Sequence, residues 1–278
     1  MTLVPLTLAL AESKRRGGAL AAFNVIQIEH AEAYAAAAAQ TDLPVVMQIS
    51  ENCVRYHGAL RPIGLATLAI AEAAPQPVVV HLDHAEDSAL VDQAVELGFT
   101  SVMFDGSRLS DAHNRTETAA VVARCHAAGV SVEAELGEVG GKDGVHAPGV
   151  RTDPRDAARF VADTGVDALA VAVGTSHAMV DRVAVLDNEL ITQLAAEVSV
   201  PLVLHGSSGV PDDGLVAAVR AGMTKVNVAT HLNHVFTEAM QRRLREHPSV
   251  DTRRYLGAGR DAVATESARL MRLLALHD

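Results

Sequence analysis

Three histidines follow three short apolar runs. Val78-Val79-Val80 leads into His81-Leu82-Asp83-His84, Ala168–Gly174 leads into Ser176-His177, and Pro201–Leu204 leads into His205-Gly206. Each run reads as a buried strand. Strongly polar groups at the end of such a strand are costly to desolvate unless they bind something. A catalytic zinc ion takes three protein ligands and keeps a position open for water or substrate. His84, His177 and His205 can supply three neutral imidazoles from three strand ends, as three corners of one metal site.

The chain has 13 histidines, so most must have another explanation. His30, His113, His126, His247 and His277 fall on helix-like segments or near the terminus and are expected to be exposed. His231 and His234 share a helix face and are expected to be solvated. His57 and His146 fall in loops, where the sequence assigns them no role.

Asp83 is the immediate neighbour of His84. Side chains alternate along a strand, so both can enter one cavity only if the strand ends here and the chain bends. A carboxylate so placed suits a general acid/base beside a metal-bound substrate. The alternative is a supporting carboxylate that orients His81 or His84. Two later segments, Gly206-Ser207-Ser208-Gly209 and Asn227-Val228-Ala229-Thr230, are small turns running towards helices. Backbone N–H groups in such turns cradle phosphate, although tight strand-to-helix turns look the same. The loop from Glu138 to Gly144 is dense in glycine and charge. It reads either as a flap that closes over a substrate or as a surface excursion.

These residues need a scaffold, and the pattern supplies one. Candidate strands are Ala19–Asn24, Pro44–Ile49, Val78–Leu82, Ser101–Phe104, Ser131–Leu136, Ala168–Val173, Pro201–Leu204 and Lys225–Val228. Helical periodicity falls between them, at Ile28–Gln40, Pro62–Ala73, Ser88–Leu97, Asp111–Ala128, Pro154–Thr164, Asn188–Val198, Asp212–Ala221 and His231–Glu246. A last helix, Arg260–Leu276, ends the chain, and another precedes the first strand. Asp153 before Pro154 suits an N-cap with proline at the first helical position. Gly98, Gly129, Gly165 and Gly222 sit where helices end in a left-handed residue. The strands are apolar on both faces, as parallel strands covered by helices should be. This alternation, repeated about eight times without a break, predicts a closed (β/α)8 TIM barrel with an extra C-terminal helix. The main rival is an open doubly wound sheet. The barrel is favoured because polar residues recur at the strand ends: Asn24, Ser50, Asp83, Asp105, Glu135, His177, His205 and Asn227. In a barrel these form one ring around one cavity.

Composition agrees. Hydrophobic residues make up 49% of 278, but aromatics only 3%, so the core must be built mainly from Val, Leu, Ile and Ala. No linker or low-complexity tract divides the chain, which predicts one domain over 1–278. The net charge of −11, without a basic cluster, argues against a nucleic-acid surface. Cys53 and Cys125 read as free thiols rather than a disulfide. No apolar run reaches the roughly 18 residues of a membrane span, and no signal-peptide layout is present. The expectation is a soluble, cytoplasmic protein that has no membrane or nucleic-acid partner and acts on a small molecule.

Several segments together carry a resemblance. They are Phe23-Asn24, His81–His84, Ser101–Ser107, Ser131–Gly137, Gly174–His177, Leu204–Gly209 and Lys225–Thr230. In this order and spacing the chain resembles the class II, zinc-dependent ketose-bisphosphate aldolases, the group that includes fructose- and tagatose-bisphosphate aldolases. The resemblance implies that His84, His177 and His205 bind the catalytic zinc. It implies that Asp83 exchanges a proton with the substrate's C4 hydroxyl. Asp105 and Glu135 correspond to carboxylates that hold a second divalent metal, or the zinc in an alternative position. Gly206, Ser207 and Ser208, with Asn227, Val228, Ala229 and Thr230, correspond to segments that bind the dihydroxyacetone-phosphate half. A monovalent cation, Na+ or K+, often accompanies that phosphate. Asn24 is counted with the substrate-binding residues. A homodimer or homotetramer is expected, and the last helix either supplies an interface or caps the barrel.

The departures from the family pattern are informative. The mobile loop is one residue short, and Asp143 stands in for the usual glutamate that handles the C3 proton. Ala178 replaces the glycine after the second zinc histidine. Fructose-specific relatives carry an aspartate where Ala229 stands, so this position resembles the tagatose type. Many relatives carry a basic residue where Asn233 stands, which leaves Ser50 and Arg260 as candidates for the distal phosphate. Lys225 reads as a strand-start residue rather than a nucleophile. The leading expectation is therefore a zinc aldolase that cleaves a ketose 1,6-bisphosphate or a related ketose 1-phosphate. The alternatives are an aldolase for the phosphorylated deoxy-keto-gluconate of inositol breakdown and a non-catalytic metal- and sugar-phosphate-binding barrel.

Overall fold

Apolar runs too short to be helices become eight parallel strands in the computed structural model, which describes residues 2–136, 151–175 and 184–277. The strands are β1 (Leu20–Asn24), β2 (Val45–Ser50), β3 (Val78–Ala85), β4 (Ser101–Phe104), β5 (Ser131–Leu136), β6 (Ala168–Val171), β7 (Leu202–Leu204) and β8 (Met223–Val228). They pair in chain order and close on themselves, with Leu20 opposite Lys225 and Phe23 opposite Val228. The described helices are α1 (Leu6–Arg15), α2 (Ile28–Thr41), α3 (Glu51–His57), α4 (Leu60–Ala73), α5 (Ser88–Leu97), α6 (Asp111–Ala127), α7 (Pro154–Thr164), α8 (Asn188–Glu197), α9 (Asp212–Ala221), α10 (Thr230–Glu246) and α11 (Thr252–Leu274). The (β/α)8 barrel and the extra C-terminal helix are as expected.

Side-chain alternation along each strand divides the core in two. One set, including Phe23, Val45, Met47, Val80 and Val132, points outward into the layer beneath the helices. The other set fills the barrel axis. Leu20, Ala22, Val46, Val79, Ala168, Ala170 and Val203 form its apolar lower part, where Leu6, Ala9 and Leu10 of α1 plug the end. Above that plug the inward positions turn polar, and these polar positions build the site.

Local signals hold where they were legible. The Asp153 side chain accepts from the Asp156 N–H ahead of Pro154. Gly98 and Gly165 end their helices with positive φ. Cys53 and Cys125 are free and buried, and burial pushes each thiol up to about 11. Among the described residues, no helix is long and apolar enough to cross a membrane.

Five expectations are corrected. Helix α3 was not anticipated; Ser50 caps it by accepting from Cys53 N at 3.2 Å. Helix α11 begins at Thr252 rather than Arg260, capped by Asp251. His30 is buried rather than exposed, packed against Tyr34 and Phe236. His231 is not a solvated residue, because its Nε2 lies 2.7 Å from Glu266 Oε1. Lys225 does not start its strand; it sits inside β8, fully buried in the barrel.

Candidate active site

Asp83 and His84 both enter the cavity because β3 bends where the sequence required it. The β3–β4 register shifts between Leu82 and Ala85, and His84 adopts φ +50°. A non-glycine residue in the left-handed region is uncommon, and such strain concentrates at functional sites. Asp83 is held by two amides. Gln48 Nε2 donates to Asp83 Oδ2 at 3.2 Å and to Asn24 Oδ1 at 2.8 Å, and Asn24 Nδ2 donates to Asp83 Oδ2 at 3.4 Å. Asp83 Oδ1 is buried and, among the described residues, accepts no hydrogen bond. Burial alone would raise the Asp83 pKa. The surrounding His84, His205, His81 and Lys225 outweigh burial and hold it below the ordinary carboxylate value. The group is therefore an ionised carboxylate with one oxygen fixed and one available. It does not orient His81, whose Nδ1 instead meets Ser101 Oγ at 2.8 Å.

The imidazoles sit among carboxylates. His84 Nδ1 lies 2.7 Å from Asp105 Oδ2, and Ser107 donates from Oγ to Asp105 Oδ1 at 2.6 Å. His205 is fully buried, with Nδ1 at 3.1 Å from Glu135 Oε2 and Nε2 at 2.9 Å from Glu133 Oε1. Burial would lower the His205 pKa, but hydrogen bonds to Glu133 and Glu135 more than offset it, and the pKa is pushed up to about 9. Among the described residues, two overlapping groups bring one ligand atom per residue within 4.8 Å of one another: Asp83, His84 and His205, and His84, Asp105 and Glu135. Imidazole and carboxylate donors in this number fit zinc or a similar first-row divalent ion. The overlap at His84 fits one ion in alternative positions or two neighbouring ions.

The two turns share one cavity with Asp83 and His84 of this cluster. Gly206, with φ +66°, starts a short 3-10 turn over Ser207–Gly209. The Ser207 hydroxyl donates to the Asn227 carbonyl, tying the turns together. Ser208 Oγ accepts from Ala229 N at 3.4 Å and from His231 N at 3.3 Å. Thr230 begins α10, so the positive end of that helix dipole meets the cavity.

The cavity is about 160 Å³. Asn24, Ser50, Asp83 and His84 line it from β1–β3, and Gly206, Ser207, Ser208, Asn227, Ala229 and Thr230 from the two turns. His205, Asp105 and Glu135 stand behind this lining through their contacts with His84 and one another. Val228 points outward into the buried layer, so only its backbone serves the turn. The Arg260 guanidinium is turned to Glu32 at 3.1 Å and Asp261 at 3.2 Å, and it does not line the cavity. His177, Ala178 and Asp143 lie outside the described residues.

Four residues were missed: Gln48, Asn52, Glu133 and Lys225. Gln48 and Asn52 line the cavity, and Glu133 and Lys225 lie beneath it. Three of these were findable by period two, since Gln48, Glu133 and Lys225 stand two residues before Ser50, Glu135 and Asn227. Asn52 sits on the unforeseen α3.

Fold and site together define a β/α-barrel protein with a candidate divalent-metal centre beside anion-cradling turns. Residues 4–278 match the family described as "Fructose-bisphosphate aldolase class-II". A fructose-bisphosphate aldolase of Giardia intestinalis is 36% identical, covering 95% of this chain and 90% of the relative. One of Geobacillus stearothermophilus is 37% identical, covering 95% and 93%. The crystal structure of the YdjI aldolase from Escherichia coli K12 superposes with a TM-score of 0.86 at 28% identity, covering 98% of this chain and 97% of that one. The chain belongs to the class II fructose-bisphosphate aldolase family.

Proposed function

We propose that this protein, one domain over 1–278, is a zinc-dependent aldolase. It cleaves a ketose 1,6-bisphosphate of the tagatose or fructose type, or a related ketose 1-phosphate, reversibly to dihydroxyacetone phosphate and an aldehyde. The observation that carries this reading is Asp83: ionised, clamped through Oδ2 by Asn24 and Gln48, with Oδ1 beside His84 and without a hydrogen-bond partner among the described residues.

Retro-aldol cleavage needs a base for the C4 hydroxyl and stabilisation of the charge that develops as the C3–C4 bond breaks. Asp83 Oδ1 takes the C4 hydroxyl proton, and the aldehyde forms at C4 as the bond opens. Because Oδ2 is tied to two amides, the carboxylate presents one oxygen in one direction, which is the positioning that general-base catalysis rewards. His84, His177 and His205 are the residues that would hold zinc, with Asp105 and Glu135 supporting a second ion. Lewis-acid stabilisation of negative charge is the chemistry zinc supplies when bound. The turns at Gly206–Ser208 and Asn227–Thr230 hold the dihydroxyacetone-phosphate half through backbone N–H groups, with a Na+ or K+ ion beside the phosphate. Asp143 handles the C3 proton.

A second reading within the family is favoured by one observation. Arg260, a candidate for the distal phosphate, is engaged by Glu32 and Asp261. With Asn233 in place of a basic residue, this supports a substrate whose aldehyde half carries no phosphate, such as the phosphorylated deoxy-keto-gluconate. Purified protein assayed on a panel of phosphorylated ketoses, with and without a distal phosphate, tests both readings. Chelator-sensitive release of dihydroxyacetone phosphate from at least one ketose is expected, and no release from any would overturn the proposal. The reading also carries a homodimer or homotetramer, testable by light scattering, and a cytoplasmic location.

A further inference from the structure

Beneath the cavity lies an ion pair that the proposed reaction does not use. Lys225 and Glu133 are both fully buried, and Lys225 Nζ donates to Glu133 Oε2 at 2.8 Å. Each partner has a second bond. Lys225 Nζ donates to Asn227 Oδ1 at 2.9 Å, and Glu133 Oε1 meets His205 Nε2 at 2.9 Å. The chain Asn227–Lys225–Glu133–His205 thus joins a residue that lines the cavity to a residue of the metal cluster.

The donor and acceptor inventory gives this chain a direction. An ammonium group has three donors and no acceptor. The amide of Asn227 must therefore turn its oxygen to Lys225 and its NH2 away. The backbone carbonyl of Asn227 is already taken by Ser207. What Asn227 offers the cavity is a donor, fixed in one orientation. A carboxylate, in turn, has no hydrogen to give, so Glu133 draws a hydrogen onto His205 Nε2. On its other side the ring meets a second carboxylate, Glu135, so Nδ1 carries hydrogen as well, and a metal ion would displace that proton while Glu133 keeps its bond to Nε2.

We propose that Lys225 and Glu133 are a positioning pair for the reaction. Lys225 points the Asn227 amide NH2 at a substrate oxygen, and Glu133 holds the His205 ring through Nε2, so that Nδ1 is the atom that would be left to bind a metal ion. The substrate half of the inference rests on the aldolase reading; the metal half does not.

Removing one partner alone would leave a buried unpaired charge and could unfold the protein. The test therefore replaces both with uncharged side chains of similar size, a change that buried pairs often tolerate. In Lys225→Met/Glu133→Gln, the Gln oxygen still accepts from His205, but nothing orients Asn227. Zinc affinity, measured by competition with a chromophoric chelator, is expected to stay within about threefold. Affinity of the zinc-loaded protein for dihydroxyacetone phosphate, by calorimetry, is expected to fall roughly tenfold. In Lys225→Met/Glu133→Leu, zinc affinity is expected to fall as well, by roughly 10–100-fold. A merely structural pair would change the melting temperature and leave both affinities of the folded protein alone; that result overturns the proposal. Asn227→Asp keeps the bond to Lys225 and puts an oxygen where the NH2 was. It is expected to melt normally yet lose roughly tenfold in dihydroxyacetone-phosphate affinity, and unchanged affinity defeats the orientation half even if the double variants misfold. Wild-type protein that binds zinc but no dihydroxyacetone phosphate would refute the aldolase reading instead, and the zinc measurements would still decide the role of Glu133.

Discussion

The imidazoles of His84 and His205 meet edge to face, with ring centroids 4.7 Å apart and planes inclined at 66°. Their strands, β3 and β7, stand on opposite sides of the eight-stranded ring. The two side chains therefore reach across the barrel mouth, and an ion held by both would tie opposite walls together.

Metal removal should accordingly weaken the fold as well as stop turnover. A ligand present at 1,000 times its dissociation constant stabilises the native state by about 4 kcal/mol. For a chain of this size that corresponds to a melting shift of roughly 10 °C. Thermal scans with excess chelator and with excess zinc should differ by that order. Identical curves would show that no ion bridges β3 and β7.

Asp83→Asn separates a base from a supporting carboxylate. Asn keeps the shape and can still bond Gln48 and Asn24, but it cannot accept a proton. We expect kcat to fall by about 10²–10⁴-fold, with zinc content close to one ion per site as in the wild type. Loss of zinc together with activity would instead assign Asp83 to holding the metal.

His30 makes acid stability measurable. Burial lowers its pKa from 6.5 to about 4, and its Nδ1 accepts from the Ile26 N–H, which requires the neutral ring. The unfolded state therefore binds the extra proton between these two values. Stability is complete above about pH 6.5, declines as pH falls, and has lost its full share below about pH 4. At pH 5 the loss from this residue is about 2 kcal/mol. Urea titrations at pH 7 and pH 5 should show that much less pH dependence in His30→Asn, which keeps an acceptor for Ile26. An equal slope in both proteins would mean another group controls this range.

Gly18→Ala tests how the last helix is fastened to the first strand. A Cβ at position 18 would lie 2.5 Å from Ala275 Cα and 2.7 Å from its carbonyl carbon. Next to it, Ala19 N donates to Leu274 O at 2.8 Å. Backbone cannot yield as a side chain can, so the end of α11 must retreat from β1. The expected cost is about 1–3 kcal/mol in chemical denaturation. Wild-type stability in this variant would mean that the contact is soft.

What the sequence disclosed follows from which signals are local. Strands buried on both faces leave continuous apolar runs, so β4 and β5 are placed to the residue. Asp83 beside His84 demanded a bend, and the bend exists. The register of the interior was equally available, because Glu133 and Lys225 sit at inward positions among apolar neighbours, yet a strand-end reading passes over them. His30 was not legible. It lies on a helix that α11 and Phe236 of α10 cover, and only tertiary packing removes it from water. Helix α3 escaped because seven residues are too few to show a period; Ser50, three residues ahead of Cys53, was its one local sign.

The left-handed backbone at residue 84 also carries a warning for anyone engineering this chain. A screen that rewards heat tolerance alone would favour glycine there, since only glycine occupies φ +50° without steric penalty. The hardier clones would have discarded the one imidazole common to both candidate metal groups among the described residues, and the selection would report success while the chemistry vanished.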